Sequence, residues 1–164
     1  MYNKELCELK NVPRNAQNLL FADEDNPELK LEHIYLKRCM LIRIGIQSGE
    51  FRGCTFHQCI FDDCYFRKAK FYNVDFTGSF FKDCNLERAS FESTRFRYVR
   101  FLRCHLNYTE ILQSLPGESR IAIHLIRSLR QNAIQMGEKH IADKLLAKQI
   151  EFEKIDFKNG FWAA

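Results

Sequence analysis

Long apolar runs are missing from the 164-residue sequence. A helix that crosses a membrane needs about 18 or more consecutive apolar residues, so we predict no transmembrane helix in this chain. Residues 1–8 carry charges where a signal peptide needs its apolar core. These two absences together predict a cytoplasmic protein.

Motifs for catalysis and for cofactor binding are missing as well. The sequence has no H-E-x-x-H, no G-x-S-x-G, no P-loop and no dinucleotide fingerprint. Its five histidines are dispersed, and no C-x-x-C pair supports a zinc or redox site. We therefore predict no enzymatic activity, no cofactor and no bound metal.

A strong excess of one charge sign is also lacking. Twenty-five Lys and Arg against 21 Asp and Glu give a net charge of +4. A modest positive charge keeps a protein soluble and does not require an anionic partner. Nucleic acid is therefore not among the partners that we expect.

The sequence does contain a large apolar residue at almost every fifth position. The series consists of Leu31, Leu36, Leu41, Ile46, Phe51, Phe56, Phe61, Phe66, Phe71, Phe76, Phe81, Leu86, Phe91, Phe96, Phe101 and Leu106. A period of five fits neither an amphipathic helix nor a half-buried strand. It indicates an array of units that bury their apolar faces against one another, with these residues as the structural core.

This pattern resembles the pentapeptide-repeat family, whose five-residue unit centres on Leu or Phe with a small residue two positions earlier. Residues 84–88 (CNLER) and 74–78 (VDFTG) are good instances of its A-(D/N)-L-x-x motif. The resemblance implies a mainly β fold, a right-handed quadrilateral β-helix with one pentad on each side and 20 residues in each turn. We predict an N-terminal capping segment at 1–28, a β-helix of about four turns at 29–112, and a C-terminal α-helical hairpin with a tail at 113–164.

Cysteines recur in the slot for small residues. In a turn of 20 residues, Cys64, Cys84 and Cys104 stack above one another as part of the core. Free Cys behaves as a small apolar residue and is often buried. We therefore interpret these thiols as packing groups and not as metal ligands or nucleophiles.

A helical pattern follows the repeats. Ile121, Leu125 and Leu129 recur at every fourth position, and Gly137 interrupts the pattern with a residue that favours the end of a helix. We interpret this hairpin as a cap on the β-helix, with docking of a partner helix as an additional role. Phe161 and Trp162 in the tail either pack into this cap or lie at a membrane surface.

Two groups of outward residues are candidates for an interaction surface. Met40, Ile60 and Phe80 are 20 residues apart and form an apolar stripe that the core does not require. Alternatively, these three are ordinary apolar residues of a protein surface, or a terminal segment of the chain covers them. The second group consists of Arg95, Arg97, Tyr98, Arg100 and Arg103. Arginines among aromatic residues can bind phosphate or carboxylate. The alternative is that these residues form a solvated face.

These features predict a non-enzymatic scaffold or protein-interaction module that binds a protein partner through the outer faces of the β-helix, with a homodimer as an alternative. Some relatives imitate duplex DNA and protect type II topoisomerases. Ten Lys and Arg against seven Asp and Glu between residues 51 and 110 disfavour that activity here, because a DNA-like surface needs dense negative charge. A second alternative is the soluble portion of a membrane-associated protein, attached through the C-terminal region.

Overall fold

We describe the protein from a computed structural model that covers residues 5–163, with side chains up to residue 160. The sequence predicts that Phe161 and Trp162 pack into the cap or lie at a membrane surface. Their side chains lie outside the described residues. The architecture is a four-sided parallel β-helix followed by three helices, which confirms the predicted fold class. None of the described helices has the length and apolar character that a membrane crossing requires.

A left-handed residue at each corner produces the period of five. The residue two positions after each central residue has a positive φ, from Asn18 to Arg103 without a gap. Only two of these corner residues, Gly53 and Gly78, are glycines. A left-handed conformation costs an L-residue roughly 1–2 kcal/mol. The hydrogen bonds and core contacts of each turn must therefore offset a penalty that recurs at almost every corner.

Three of the four sides contain hydrogen-bonded parallel sheets. The first side has strands in the order β12, β10, β7, β4, which are Ser90–Glu92, Lys70–Tyr72, Glu50–Arg52 and Lys30–Glu32. The second side has strands β2, β5 and β8, which are Asn15–Gln17, Tyr35–Lys37 and Thr55–His57. Single bridges from Thr55 through Asp75 to Arg95 continue this side.

The third side is a sheet of six strands. Its order is β1, β3, β6, β9, β11, β13, which are Glu5–Leu6, Leu19–Asp25, Met40–Gly45, Ile60–Asp62, Phe80–Lys82 and Arg100–Leu102. The fourth side is held by single bridges between Gly45, Tyr65, Asn85 and His105. From β3 onward, paired residues of the third side are 20 positions apart, so equivalent side chains stack vertically.

The core consists of stacked phenylalanine rings. Phe61 stacks on Phe81 with ring centroids 4.5 Å apart, and Phe81 stacks on Phe101 at 5.3 Å. Within a turn, neighbouring rings such as Phe76 and Phe81 meet edge to face. Both arrangements match the quadrupole of the aromatic ring and add to the burial of apolar area. Of the central residues predicted for the core, Leu106 alone is only partly buried.

The stacked thiols also donate hydrogen bonds to the backbone. Cys64, Cys84 and Cys104 are buried, and each Sγ lies 3.1–3.3 Å from the carbonyl oxygen of the residue 23 positions earlier. Ser79 donates to the Phe56 carbonyl in the same way, at 2.6 Å. The small slot therefore favours a short side chain with a donor, which a thiol or hydroxyl supplies.

The β-helix begins earlier than the sequence predicts. Strands β2 and β3 pair in register with β5 and β6, and the corner residues Asn18 and Asp23 have positive φ. The predicted start at Leu29 is therefore wrong. Ala16 and Asn26 occupy central positions of this first turn, and neither is a large apolar residue, so the period is hidden there. The segment below it, with the 3-10 helix Leu9–Asn11 and the buried Leu9, closes the N-terminal end.

Side chains of the helices close the C-terminal end. The last strand is followed by α1 (Tyr108–Leu112), which starts inside the predicted range of the β-helix, then by α2 (Ser119–Gln135) and α3 (Lys139–Ala163). Asn132 of α2 accepts a hydrogen bond from the Cys104 amide at 2.7 Å and donates one to its carbonyl at 2.8 Å. Its side-chain amide thus pairs the backbone amide and carbonyl of Cys104, which a further turn of the β-helix would otherwise pair.

Helices α2 and α3 form an antiparallel pair. Gly137 in the turn between them has a φ of +71°, a conformation that glycine adopts at little cost. Arg120 pairs with Asp156, and Arg127 pairs with Glu153, across the two helices. These ion pairs fix the register of α3 on α2, while Leu129 and Leu145 bury the apolar contact.

Candidate interaction surface

The third side carries an apolar column on its outer surface. In each turn the residue immediately before the central residue points outward, and strand pairing aligns Leu20 with Met40, Met40 with Ile60, and Ile60 with Phe80. We call these four residues the outer ladder. All four are half-buried, although they lie outside the core. Leu6 of β1 is 67% exposed and extends the column at its N-terminal end, opposite Leu20.

The other three sides have different residues at the same position of the pentad. This position holds Lys30, Glu50, Lys70 and Ser90 on the first side, Tyr35, Thr55, Asp75 and Arg95 on the second, and Gly45, Tyr65, Asn85 and His105 on the fourth. The fold therefore accepts charged, polar and small residues there. The repeat therefore does not require the continuous column of aliphatic and aromatic residues on the third side.

Charged residues beside the outer ladder neutralise one another within the chain. Arg43 pairs with Asp23 one turn below, and Arg103 pairs with Asp83 at 2.6 Å. These hydrogen bonds to arginine lower the pKa values of the Asp23 and Asp83 carboxyls. Both pairs are exposed, and exposed pairs contribute little to stability. Their effect is to leave the third side with little net charge beside its apolar column.

Arg100 ends the outer ladder. It is aligned with Phe80 in the sheet, and its guanidinium lies over the Phe80 ring, 4.5 Å from the ring centroid. Among the described side chains, no carboxylate forms an ion pair with Arg100. The column therefore changes from apolar to cationic at its C-terminal end.

A cleft lies between this end of the ladder and helix α2. Its volume is about 390 Å³, and its walls include Phe80 and Arg100 from the β-helix with His124, Arg127 and Ser128 from α2. We call it the α2 cleft. Burial, and then the positive charges of Arg100 and Arg127, lower the pKa of His124. The cleft is therefore a site of positive potential next to an apolar surface.

The structure divides the arginines that were predicted as one group. Arg95 and Arg97 lie on the second side, where Arg97 pairs with Glu118 at 3.1 Å and Arg95 lies 3.8 Å from Asp75. Arg103 lies on the third side and is paired with Asp83. Carboxylates of the chain thus neutralise three of the four arginines, and Arg100 is the exception.

The Tyr98 side chain lies at the corner between the second and third sides. It is 51% exposed, and its ring contacts the edge of His124 with centroids 5.5 Å apart. Tyr98 therefore belongs to the rim of the α2 cleft together with Arg100. Met40, Ile60, Phe80 and Arg100 are aligned in one column.

Some residues of this surface escaped the sequence analysis. Leu20 lies 20 residues before Met40, so extending the stacking by one more turn would have found it. His124 and Arg127 had no such signal, because their position depends on how α2 docks on the last turn. Among residues 5–163, no group of three or more His, Cys, Asp or Glu has an arrangement that could hold a metal ion.

Comparison with known families identifies the repeats. Residues 54–115 match the family model of the pentapeptide repeat region. This stretch is therefore similar to the family that the sequence pattern resembles. A search among curated proteins finds no match.

Three solved structures are similar at low sequence identity. The pentapeptide repeat protein Rfr23 from the cyanobacterium Cyanothece 51142 is 13% identical, with a TM-score of 0.31 over 46% of this chain and 62% of Rfr23. QnrB1, a plasmid-mediated fluoroquinolone resistance protein, is 16% identical, with a TM-score of 0.34 over 54% of this chain and 56% of QnrB1. A pentapeptide repeat protein from the Arabidopsis thaliana thylakoid lumen is 14% identical, with a TM-score of 0.29 over 58% and 74% of the two chains. These TM-scores are low, and we infer nothing about function from them.

Proposed function

We propose that this chain is a non-enzymatic protein-interaction module whose third side binds an apolar surface of a protein partner. The observation that carries the proposal is the outer ladder of Leu20, Met40, Ile60 and Phe80, which occupies a position where the other sides are mostly polar or charged. Contiguous apolar residues that remain partly accessible to solvent are typical of interaction sites.

The outer ladder is large enough to contribute binding free energy. Strands are separated by about 4.8 Å, so the four residues span roughly 14 Å. Complete burial of a Leu, Ile, Met or Phe side chain contributes about 1.5–3 kcal/mol. Because most of each side chain is already buried, a partner would gain at most roughly a third of that from each. The sum is enough to anchor a contact that surrounding polar groups make specific.

A second copy of the chain fits this surface less well than a different protein. A two-fold axis along the strands at the height of Ile60 would place Met40 of one copy against Phe80 of the other. It would also bring Asp63 close to the same residue of the second copy, whereas Asp62 pairs with Lys82 at 3.6 Å. Like charges in an interface disfavour association, so we propose a heterologous partner.

A matched pair of substitutions tests this function. Ile60→Glu places a carboxylate in the outer ladder, and Thr55→Glu places one at the same pentad position on the second side. Wild type and both variants are used to capture proteins from source-cell lysate, after circular dichroism has shown that all three are folded. Each candidate partner is then purified and its Kd is measured with all three proteins.

We expect a partner that binds wild type and Thr55→Glu alike and binds Ile60→Glu at least about tenfold more weakly, because burying an unpaired carboxylate is costly. A partner with equal affinity for both variants, or the absence of any captured partner, would contradict the assignment to the third side.

We also propose that the protein acts in the cytoplasm. Five inward thiols donate hydrogen bonds to backbone carbonyls, a role that requires the reduced form, and reducing compartments preserve thiols.

A further inference from the structure

We propose that the α2 cleft is a carboxylate-binding site that receives an acidic group of the partner bound to the outer ladder. The source of the carboxylate rests on the function proposed above, whereas the site itself does not. Donors from two elements meet in the cleft, beside an apolar wall.

Arg100 is the principal ligand that we assign. The Cζ atom of its guanidinium lies over the Phe80 ring, 4.5 Å from the centroid, and no described carboxylate pairs with it. An arginine that stacks on an aromatic ring keeps the planar set of donors that binds a carboxylate through two hydrogen bonds. The ladder thus delivers the partner to an unpaired and pre-positioned cation.

Helix α2 supplies further donors. The Ser128 Oγ accepts a hydrogen bond from the Phe101 amide at 2.9 Å, so its own proton remains to be donated. The Nδ1 atom of His124 is buried and has no hydrogen-bond partner. This atom is closed off from solvent, so the His124 imidazole senses the charge of a bound carboxylate instead of contacting it through Nδ1.

The charged residues that line the cleft are Arg100 and Arg127, and both are positive. Arg100 from the last turn and Arg127 from α2 face His124, and no carboxylate lines the described part of the cleft. Glu153 of α3 lies outside the lining and pairs with the Arg127 Nη2 at 2.8 Å. The cleft therefore attracts an anion. Leu102 and the Phe80 ring in its wall favour an anion with an apolar neighbour, such as a carboxylate next to an aliphatic side chain.

The isolated protein is sufficient for the test, because a small probe replaces the partner. The probe is N-acetyl-leucine, its neutral control is N-acetyl-leucinamide, and inorganic phosphate is the third arm. The readout is the pKa of His124, followed by NMR of the labelled imidazole. A bound carboxylate offsets the charges of Arg100 and Arg127, so the pKa of His124 should rise by about 1 at saturation.

Two variants separate the site from general charge effects. Arg100→Gln removes the assigned ligand, and Arg103→Gln removes a cation of the same turn that is already paired with Asp83. We expect Arg100→Gln to weaken probe binding by about tenfold or more, and Arg103→Gln to leave it unchanged. An equal loss in both variants would show a diffuse field and overturn the site.

The three probe arms each decide the proposal. A rise in the pKa of His124 with N-acetyl-leucine and none with the amide supports a carboxylate site. A rise with phosphate alone, or none with any probe, overturns it. Because no partner is present, failure of this site is distinguishable from failure of the outer ladder, which the Ile60→Glu comparison tests separately.

Discussion

Phe80 and Phe81 are neighbours in the sequence and lie on opposite surfaces of the same strand. Phe81 is buried between the rings of Phe61 and Phe101, whereas Phe80 points outward beneath the guanidinium of Arg100. Residues of a strand alternate between its two surfaces, so one surface is free to vary while the other is fixed by the core. The pair shows that folding and the proposed binding use separate residues of the same sheet.

The difference between the two surfaces is repeated in every turn. Inside, central positions hold large apolar residues on all four sides of the regular turns, with Leu86 and Leu106 as the two leucines on the fourth side. Outside, the third side alone repeats apolar residues at the position before the central one. The repeat therefore explains the inner ladder of Phe61, Phe81 and Phe101, but it does not explain the outer ladder.

Thiol reactivity should show the largest difference between inside and outside. The inward Cys84 reacts only when the structure opens, and burial raises the pKa of its thiol well above the usual value. A cysteine introduced at the outward position by Thr55→Cys needs no opening. We expect Cys84 to be labelled about a thousandfold or more slowly in native buffer, followed by mass spectrometry. Equal rates would contradict the inward orientation of Cys84.

Removing each ring of the Phe80 and Phe81 pair should affect stability unequally. Phe81→Ala leaves a cavity between two stacked rings and should lower the free energy of unfolding by about 3–5 kcal/mol. Phe80→Ala removes a partly buried outward ring and should cost about 1–2 kcal/mol. Urea unfolding of both variants gives the two values. Similar losses would mean that the outer ladder also stabilises the fold.

Removing the Asn132 side chain from the cap at the C-terminal end should have an intermediate effect on the free energy of unfolding. Asn132→Ala leaves the amide and carbonyl of Cys104 without their partners and should cost about 1–3 kcal/mol. Gln131→Ala, at the exposed neighbouring position of α2, is the matched control and should be nearly neutral. An equal effect of the two substitutions in urea unfolding would show that the Asn132 side chain does not close the sheet edge.

Replacing Asp75, an outward carboxylate on the second side, should have the smallest effect on the free energy of unfolding. That effect should depend on pH. Burial alone would raise the pKa of Asp75, but hydrogen bonds from His57 and Thr77 outweigh it and lower the pKa. Stabilisation by Asp75 is therefore present above the ordinary pKa of Asp, about 3.9, and is lost as the pH falls through the lowered value.

We expect Asp75→Asn to cost about 1 kcal/mol at neutral pH, because it weakens these hydrogen bonds. In urea unfolding, the difference from wild type should begin to shrink as the pH falls below about 3.9 and should vanish below the lowered pKa of Asp75. Asp63→Asn, at an exposed corner, is the control for the removal of a surface carboxylate. A difference for Asp75→Asn that persists in acid would contradict this account.

The sequence predicts the parts of the fold that repeat. The large residues at every fifth position define the core, and the spacing of 20 places Met40, Ile60 and Phe80 in one column. The first turn is hidden, because the small Ala16 and the polar Asn26 occupy central positions. The α2 cleft is hidden for a different reason. His124 lies near Arg100 only through the docking of α2, in which Ser128 and Asn132 accept hydrogen bonds from the backbone amides of the last turn.

A site-specific crosslinking experiment tests the central claim most directly. The photoreactive residue p-benzoylphenylalanine replaces Ile60 in the outer ladder or Lys70, which holds the same pentad position on the first side. Irradiation in source cells should yield a discrete adduct with a partner protein from position 60 and none from position 70. Adducts of equal yield from both positions, or an adduct from position 70 alone, would contradict a binding surface on the third side.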